Sequence, residues 1–168
     1  MSKQEEFLAL YEPVHERFER FCRARVYGNM EYRDLMNESL LVAFEKYDTL
    51  RSKDAFLSFL FGISVRVLSN HHKKKKELRF TGTEDGFVPD QNDGTDPDIH
   101  FLYQGLAMLN DAQRECLLLF EISGFNIKEI AEIQSVSEDA VKQRLKRGRD
   151  RLRKILTFES THKTGTAL

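Results

Sequence analysis

The sequence has no tryptophan, two cysteines and three prolines among its 168 residues. Two cysteines cannot build a disulfide framework, and Cys22 and Cys116 lie in segments with helical apolar spacing. We therefore expect two reduced core thiols rather than a bridge. No run of about 20 apolar residues occurs, so no membrane insertion is predicted. The N-terminus lacks the apolar stretch of a signal peptide, which favours a cytoplasmic location.

The net charge is nearly balanced, at −1, but it is unevenly distributed along the chain. Residues 1–79 carry 15 basic and 12 acidic side chains, and residues 101–168 carry 11 basic and nine acidic ones. Residues 80–100 between them have six acidic and no basic side chains, with three glycines and two prolines. Such a composition predicts a flexible acidic linker. The mildly basic parts on either side suggest contacts with a polyanion.

Apolar residues recur at helical spacing on both sides of the linker, without a strand pattern. The N-terminal part predicts helical segments over residues 7–26, 31–47 and 55–76, the third apolar nearly all round. We expect these helices to form one small bundle over residues 1–79.

The C-terminal part predicts a second small bundle. Helices are expected over residues 101–109 and 111–123, the latter closed by Gly124. The bundle continues to residue 156, and residues 157–168 are expected to be a loose tail. The predicted fold class is all-α, with two small helical bundles joined by the linker.

A helix-turn-helix is the most informative pattern in the sequence. Asn126 and Glu129 have the spacing of a capping box at the start of a helix over residues 127–134. Residues 135–137 form a tight turn, and Ser137 caps a second helix whose first turn is acidic. In such a motif the second helix enters the major groove of DNA.

The second helix has an apolar face and a basic face. Residues 138–154 carry eight basic and three acidic side chains, and lysine and arginine suit phosphates and guanine edges. A basic face alone is more often a solvated surface, but the turn, the caps and the charge together predict DNA binding. The apolar face comprises Val141, Leu145, Gly148, Leu152 and Leu156.

Several of these segments resemble the sigma factors of bacterial RNA polymerase. Residues 128–133 (KEIAEI) and 141–147 (VKQRLKR) resemble the sigma DNA-binding domain called region 4. Residues 34–38 (DLMNE) resemble the region 2 helix that binds the clamp of the polymerase β′ subunit, and residues 59–64 (FLFGIS) resemble the next helix. Their order, with only a short linker between them, is typical of the extracytoplasmic-function (ECF) subfamily of the sigma-70 family.

This resemblance implies a transcription initiation factor that binds core RNA polymerase and promoter DNA and is restrained by an anti-sigma factor. It implies no catalysis, no cofactor and no metal. Residues 1–79 would be a region 2-like domain, and residues 101–156 a region 4-like domain. The implied polymerase-clamp residues are Asp34, Asn37, Glu38, Leu41 and Phe44, of which Leu41 and Phe44 either touch the clamp or pack in the core.

The resemblance also implies two promoter-binding surfaces. For the minus-ten element the implied residues are Arg51, Lys53, Asn70, Lys73 and Lys74. For the minus-thirty-five element they are Ser137, Asp139, Lys142, Gln143, Arg144, Lys146 and Arg147.

The sequence departs from the family pattern at informative positions. Asp139-Ala140 stand where Gly-Thr is usual, so a promoter sequence cannot be carried over. Ser135 stands where a turn glycine is usual. Val65-Arg66 replace a usual Arg-Asn pair, which weakens the minus-ten assignments.

Other classes of function were weighed against the sigma factor. An autonomous helix-turn-helix regulator with an N-terminal sensing or dimerising bundle would draw most of its DNA affinity from phosphate neutralisation, so the nearly neutral chain favours the sigma factor. An enzyme is disfavoured because no nucleophile–base set or phosphate loop is found. Neighbouring His71 and His72 would point about 100° apart on a helix and make poor shared metal ligands.

Overall fold

The computed structural model describes residues 1–81 and 96–165, with side chains over residues 1–78 and 96–158. The regular structure within these ranges is helical and contains no strand, which confirms the predicted all-α fold. Residues 82–95, most of the predicted flexible linker, lie outside the described residues. Helices occupy both ends of that predicted linker, since one continues to Thr81 and the next begins at Pro97.

Four helices form the N-terminal unit. Ser2 caps the first, its Oγ accepting the Glu5 N–H at 3.2 Å. Pro13 lies in a 3₁₀ turn that separates the first two helices, so the predicted segment over residues 7–26 is interrupted there. Gly28 has a φ of +76°, the left-handed region that favours glycine, and turns the chain towards the third helix. The helices are α1 (Lys3–Tyr11), α2 (His15–Arg25), α3 (Tyr32–Glu45) and α4 (Phe56–Thr81).

Aromatic rings fill the core of this unit. Phe18, Phe21 and Phe61 are fully buried. The Phe61 ring lies 5.3 Å from the Phe18 ring and 5.0 Å from the Phe21 ring, centroid to centroid. Phe7 of α1 meets Phe44 of α3 edge to face at 5.5 Å. Aromatic pairs of this kind stabilise a fold by about 0.5–1.5 kcal/mol each beyond the area they bury.

The C-terminal unit also has four helices. Asp96 caps the first, its Oδ1 accepting the Asp98 N–H at 2.8 Å, and Pro97 takes the first helical position. The second helix widens into a π turn over Leu118–Ile122. Gly124 then ends it with a φ of +77°, as predicted. The helices are α5 (Pro97–Ala107), α6 (Asp111–Leu117), α7 (Ile127–Gln134) and α8 (Glu138–Gly165).

The last helix is longer than predicted. A loose tail was expected from residue 157, but α8 continues to Gly165. No glycine or proline interrupts the chain between Gly148 and Gly165, so nothing in the sequence stops the helical hydrogen bonding. Ile155 is 8 % exposed and Phe158 is 64 % exposed, so the burial of α8 ends near Leu156.

The two units pack against each other. Helix α2 lies on α5 and on the π turn that follows α6, and helix α4 lies on α7. The rings of Phe61 and Phe125 meet with centroids 4.9 Å apart, and the Arg17 Nε donates to the carbonyl oxygen of Ser123. The sequence predicted both bundles but not this contact. None of the helices over residues 1–81 and 96–165 has the length and apolar character that a membrane crossing requires.

Candidate nucleic-acid and polymerase interfaces

The helix-turn-helix has the capping predicted from the sequence. Asn126 Oδ1 accepts the Glu129 N–H at 2.8 Å, and Glu129 Oε1 accepts the Asn126 N–H at 3.1 Å. This reciprocal capping box satisfies two otherwise unpaired donors at the start of α7. Ser137 Oγ then accepts the Ala140 N–H at 3.1 Å at the start of α8. The Ser137 hydroxyl, implied as a DNA contact, therefore already serves as a cap.

The turn of the motif is formed by a strained serine. Ser135 has a φ of 56° and a ψ of 48°, the left-handed conformation. A side chain in this region costs roughly 1–2 kcal/mol, whereas glycine adopts it freely. This explains why a glycine is usual at the position. The Val136 N–H reaches back to the carbonyl of Ala131 at 3.0 Å and closes the turn.

The recognition helix α8 buries one side as predicted, with a local shift. Val141 and Leu145 are buried. Gly148 packs closely on α6, since a Cβ there would lie 3.1 Å from Leu117 Cδ1. Farther along, Ile155 is buried while Leu152 and Leu156 are half-buried.

The other side of α8 presents most of the residues implied for the minus-thirty-five element. Among the residues implied for the minus-thirty-five element, Arg144 alone is half-buried. The exposed members of the set are Ser137, Asp139, Lys142, Gln143, Lys146 and Arg147.

Sequence reasoning missed Gln134, the last residue of α7. Its Oε1 accepts a hydrogen bond from Arg144 Nη1 at 3.0 Å. Its Nε2 donates to Glu115 Oε1 at 3.0 Å and to the Ala112 carbonyl at 3.3 Å. One side chain thus joins α6, α7 and α8. The only sequence signal was a polar residue ending an otherwise apolar helix face.

The residues implied for the polymerase clamp lie along α3. Asp34, Asn37 and Glu38 are exposed, and Leu41 is an exposed large apolar side chain, at 60 %. Phe44 is half-buried against the core ring of Phe7. Of the two apolar residues, Leu41 is therefore free to face a partner, and Phe44 packs inside.

Glu38 has a partner within the chain. Its Oε2 lies 2.6 Å from His71 Nε2 on α4. The part of α4 that carries Asn70, Lys73 and Lys74 therefore adjoins the acidic surface of α3. All three of these α4 residues are exposed.

The residues implied for the minus-ten element lie in two separate places. Arg51 and Lys53 are exposed shortly before α4, and Lys53 begins the short 3₁₀ segment Lys53–Ala55 that leads into that helix. Asn70 lies 14 residues after Phe56, the first residue of α4, which is about 21 Å along the helix at its usual rise. The structure does not bring the five residues into one pocket.

Both cysteines are free and buried, one in each unit. Burial raises the pKa of Cys22 well above its ordinary value and the pKa of Cys116 to about 11. Each therefore stays a protonated thiol at neutral pH, in agreement with the predicted reduced core thiols. Within residues 1–78 and 96–158, no three His, Cys, Asp or Glu side chains are grouped so that they could hold a metal ion.

Comparison with known proteins relates this geometry to a family. A family model described as Sigma-70, region 4, matches residues 102–152. The ECF RNA polymerase sigma factors SigX and SigW of Bacillus subtilis are each 25 % identical to this chain, over 90 % and 91 % of it and over 84 % and 90 % of their own lengths.

Two solved structures have the same fold. The sigma factor RpoE of Bartonella quintana, in complex with the anti-sigma factor NepR, matches with a TM-score of 0.71 and 24 % identity, over 92 % of this chain and 96 % of that one. CnrH in complex with the cytosolic domain of CnrY matches with a TM-score of 0.68 and 19 % identity, over 92 % and 89 %. The curated relatives match along nearly the whole length and the region 4 family model matches the helix-turn-helix, so the chain is similar to ECF RNA polymerase sigma factors in both of its units.

Proposed function

We propose that this chain binds core RNA polymerase and directs it to specific promoters to initiate transcription. The observation that carries the proposal is the exposed face of α8, presented by a capped helix-turn-helix and matched by the region 4 family model. An α-helix held in this way can enter the major groove and present its side chains to base edges and phosphates.

The two units divide the work in this proposal. Residues 1–79 act as the region 2-like domain that holds the polymerase and the minus-ten element. Residues 101–156 act as the region 4-like domain for the minus-thirty-five element, and residues 80–100 connect them.

On the polymerase side, Asp34, Asn37, Glu38 and Leu41 form the proposed contact. Their exposure on one helix supports this role, because acidic side chains around an apolar one suit a partner with basic rim residues. Phe44 supports the surface from within the core.

On the DNA side, two groups of residues contact the minus-ten element separately. Arg51 and Lys53 hold the melted strand near the start of α4, where positive charge follows the backbone. Asn70, Lys73 and Lys74 hold the duplex edge farther along the same helix. The separation of the groups along α4 suits a longer stretch of DNA better than a single base pocket.

For the minus-thirty-five element, the exposed residues of α8 are the proposed readers. Lys142, Lys146 and Arg147 supply charge and guanine-type donors, and Gln143 can make paired hydrogen bonds to adenine. Asp139, where the family usually has glycine, can accept a hydrogen bond from a cytosine amino group.

An anti-sigma factor is the proposed regulator. RpoE is described in complex with the anti-sigma factor NepR, and CnrH in complex with the cytosolic domain of CnrY. The packed arrangement of the two units offers one surface to a partner of this kind. We place the protein in the cytoplasm with the polymerase and assign it no catalysis of its own.

Co-elution with bacterial core RNA polymerase tests the proposal. The native chain should co-elute, and the double variant Asp34→Lys, Glu38→Lys should not, while its circular dichroism and melting remain those of a folded protein. The matched control is Glu12→Lys, Glu16→Lys, which reverses another exposed acidic pair and should still co-elute. A folded native chain that does not bind core polymerase, but binds duplex DNA tightly as a dimer, would overturn the proposal in favour of an autonomous regulator.

A further inference from the structure

A small open cleft lies between the start of α6 and the recognition helix. Its volume is about 220 Å³, on the scale of a single charged group rather than a drug-sized ligand. It opens beside the exposed side chains of α8. The residues around it are Asn110, Ala112, Gln113, Ala140, Gln143, Arg144 and Arg147.

The chemistry of this cleft suits an anion. Its polar lining consists of two guanidinium groups and three carboxamides, and no carboxylate lines it. Two nearby carboxylates of α6 are engaged elsewhere, Asp111 with Arg114 and Glu115 with Arg25, and Asp139 beside Ala140 is exposed. A cation would meet two positive charges there, whereas an oxyanion would find several N–H donors.

Arg144 occupies a particular position on the recognition helix. Successive residues turn by about 100°, so Arg144 lies beside the buried row of Val141 and Leu145, on the flank that faces α7. Gln143 and Arg147 lie farther out. An arginine on the flank reaches the DNA backbone beside the groove more readily than the base edges on its floor.

Gln134 fixes the Arg144 side chain on that flank. The amide NH₂ of Gln134 donates to Glu115 and Ala112, so its oxygen is the atom left to accept from Arg144 Nη1 at 3.0 Å. One guanidinium donor is used in this bond, and Arg144 also lines the cleft. Holding a long side chain in its bound conformation reduces the entropy lost when a ligand binds.

We propose that this cleft binds one backbone phosphate of the minus-thirty-five DNA, with Arg144 as the contacting residue and Gln134 as its positioning residue. The inference rests on the proposed function and divides the residues of α8 by task. Arg144 contributes affinity without sequence preference, and the outward residues of the helix read the bases.

The test measures binding of the reconstituted holoenzyme to promoter duplexes over a range of salt concentrations. The duplex panel carries every single-base change in the minus-thirty-five element. Arg144→Ala should weaken binding roughly tenfold for all duplexes alike and reduce the slope of log affinity against log salt by about one. The order of preference among the duplexes should not change.

The positioning role is tested by a double-mutant cycle. Gln134→Ala should weaken binding about threefold in the native background and cause no further loss in the Arg144→Ala background, because it acts through that arginine. A merely structural role for Gln134 would give the same loss in both backgrounds. The matched control is Arg149→Ala on the opposite flank, whose guanidinium is paired with Glu121 at 2.9 Å; less than a twofold change is expected.

Three results would overturn the inference. A changed preference at one base position in Arg144→Ala would assign this arginine to a base. No effect of Arg144→Ala, while Arg147→Ala and Lys142→Ala still weaken binding, would reject the cleft and leave the proposed function intact. A native holoenzyme without promoter preference would reject both.

Discussion

Arg25 and Glu115 form an ion pair across the boundary between the two helical units, with 3.2 Å between Nε and Oε2. Arg25 is 2 % exposed and Glu115 is 7 % exposed, so both charges are removed from water. The other carboxylate near Arg25, that of Asp111, lies 3.8 Å away. Buried charges are costly unless they are paired, so the packing of the units depends on this complementarity.

Removal of one member of this pair should destabilise the protein strongly. In Glu115→Ala the Arg25 guanidinium stays buried without its nearest counter-charge. We expect the free energy of unfolding to fall by about 3–5 kcal/mol, the usual cost of breaking a buried pair from one side. Urea unfolding followed by circular dichroism measures this change.

The matched control is an exposed ion pair within the C-terminal unit, the unit that also contains Glu115. Arg149 and Glu121 are 2.9 Å apart with side chains 44 % and 57 % exposed. Glu121→Ala should therefore change the free energy of unfolding by less than about 1 kcal/mol. Equal losses in the two variants would show that burial of the Arg25–Glu115 pair has no energetic role.

A glycine in the turn of the helix-turn-helix should stabilise the protein. Ser135→Gly relieves the left-handed strain at a φ of 56° and loses no hydrogen bond of the Ser135 side chain described in the structure. The free energy of unfolding should rise by about 0.5–1 kcal/mol. This is less than the full strain energy, because glycine also makes the unfolded chain more flexible. A rise in the melting temperature of the variant would show it.

Ser137→Ala, two residues later in the chain, should destabilise the protein, in contrast to Ser135→Gly. Ser137 Oγ caps α8 through the Ala140 N–H, and loss of such a cap costs about 1 kcal/mol. The two serines should therefore respond in opposite directions. A Ser135→Gly variant that melts below the native protein would contradict the strain argument.

His72 should make the protein less stable in mild acid. Burial, helped by the positive charges of Arg25, Arg114 and Lys75, lowers the pKa of His72, while Asp111 acts in the opposite direction. The unfolded chain then takes up a proton at His72 before the folded chain does. The stability contributed by the neutral ring is present above about pH 6.5 and is lost as the pH falls below that value.

The measurement compares unfolding free energies at pH 7.5 and pH 5.5 for the native chain and His72→Gln. All other side chains are the same in both proteins, so the difference between their two stability changes isolates His72. The native chain should lose more stability on acidification than the variant. Identical slopes would show that His72 is equally basic in the folded and unfolded chains.

Local signals made the helix-turn-helix predictable. Asn126, Glu129, Ser137 and Gly124 act on residues within one helical turn, and the structure has each of them as a cap or a helix end. The apolar spacing of α8 likewise predicted its buried side. The length of α8 was misjudged because its polar end lacks the apolar spacing on which the prediction relied, although it has no helix stop.

Contacts between distant residues could not be predicted in the same way. Arg25 and Glu115 are 90 positions apart, and neither belongs to a pattern that names its partner. The bond from Arg144 to Gln134 depends on how α7 and α8 pack, and the separation of Arg51 from Asn70 depends on the length of helix between them. Each requires the packing of whole helices, which periodicity alone does not specify.

The ring of Phe61 touches Phe18 and Phe21 in its own unit and Phe125 in the other. Each unit therefore buries an aromatic ring of the other, although the sequence separates the two units at the linker. If the units move apart on the polymerase, this ring loses an apolar neighbour and needs a new one. A fragment that contains only one unit would expose that same aromatic surface to water. Its melting temperature and self-association would then reflect the exposed surface as well as the intrinsic stability of the unit.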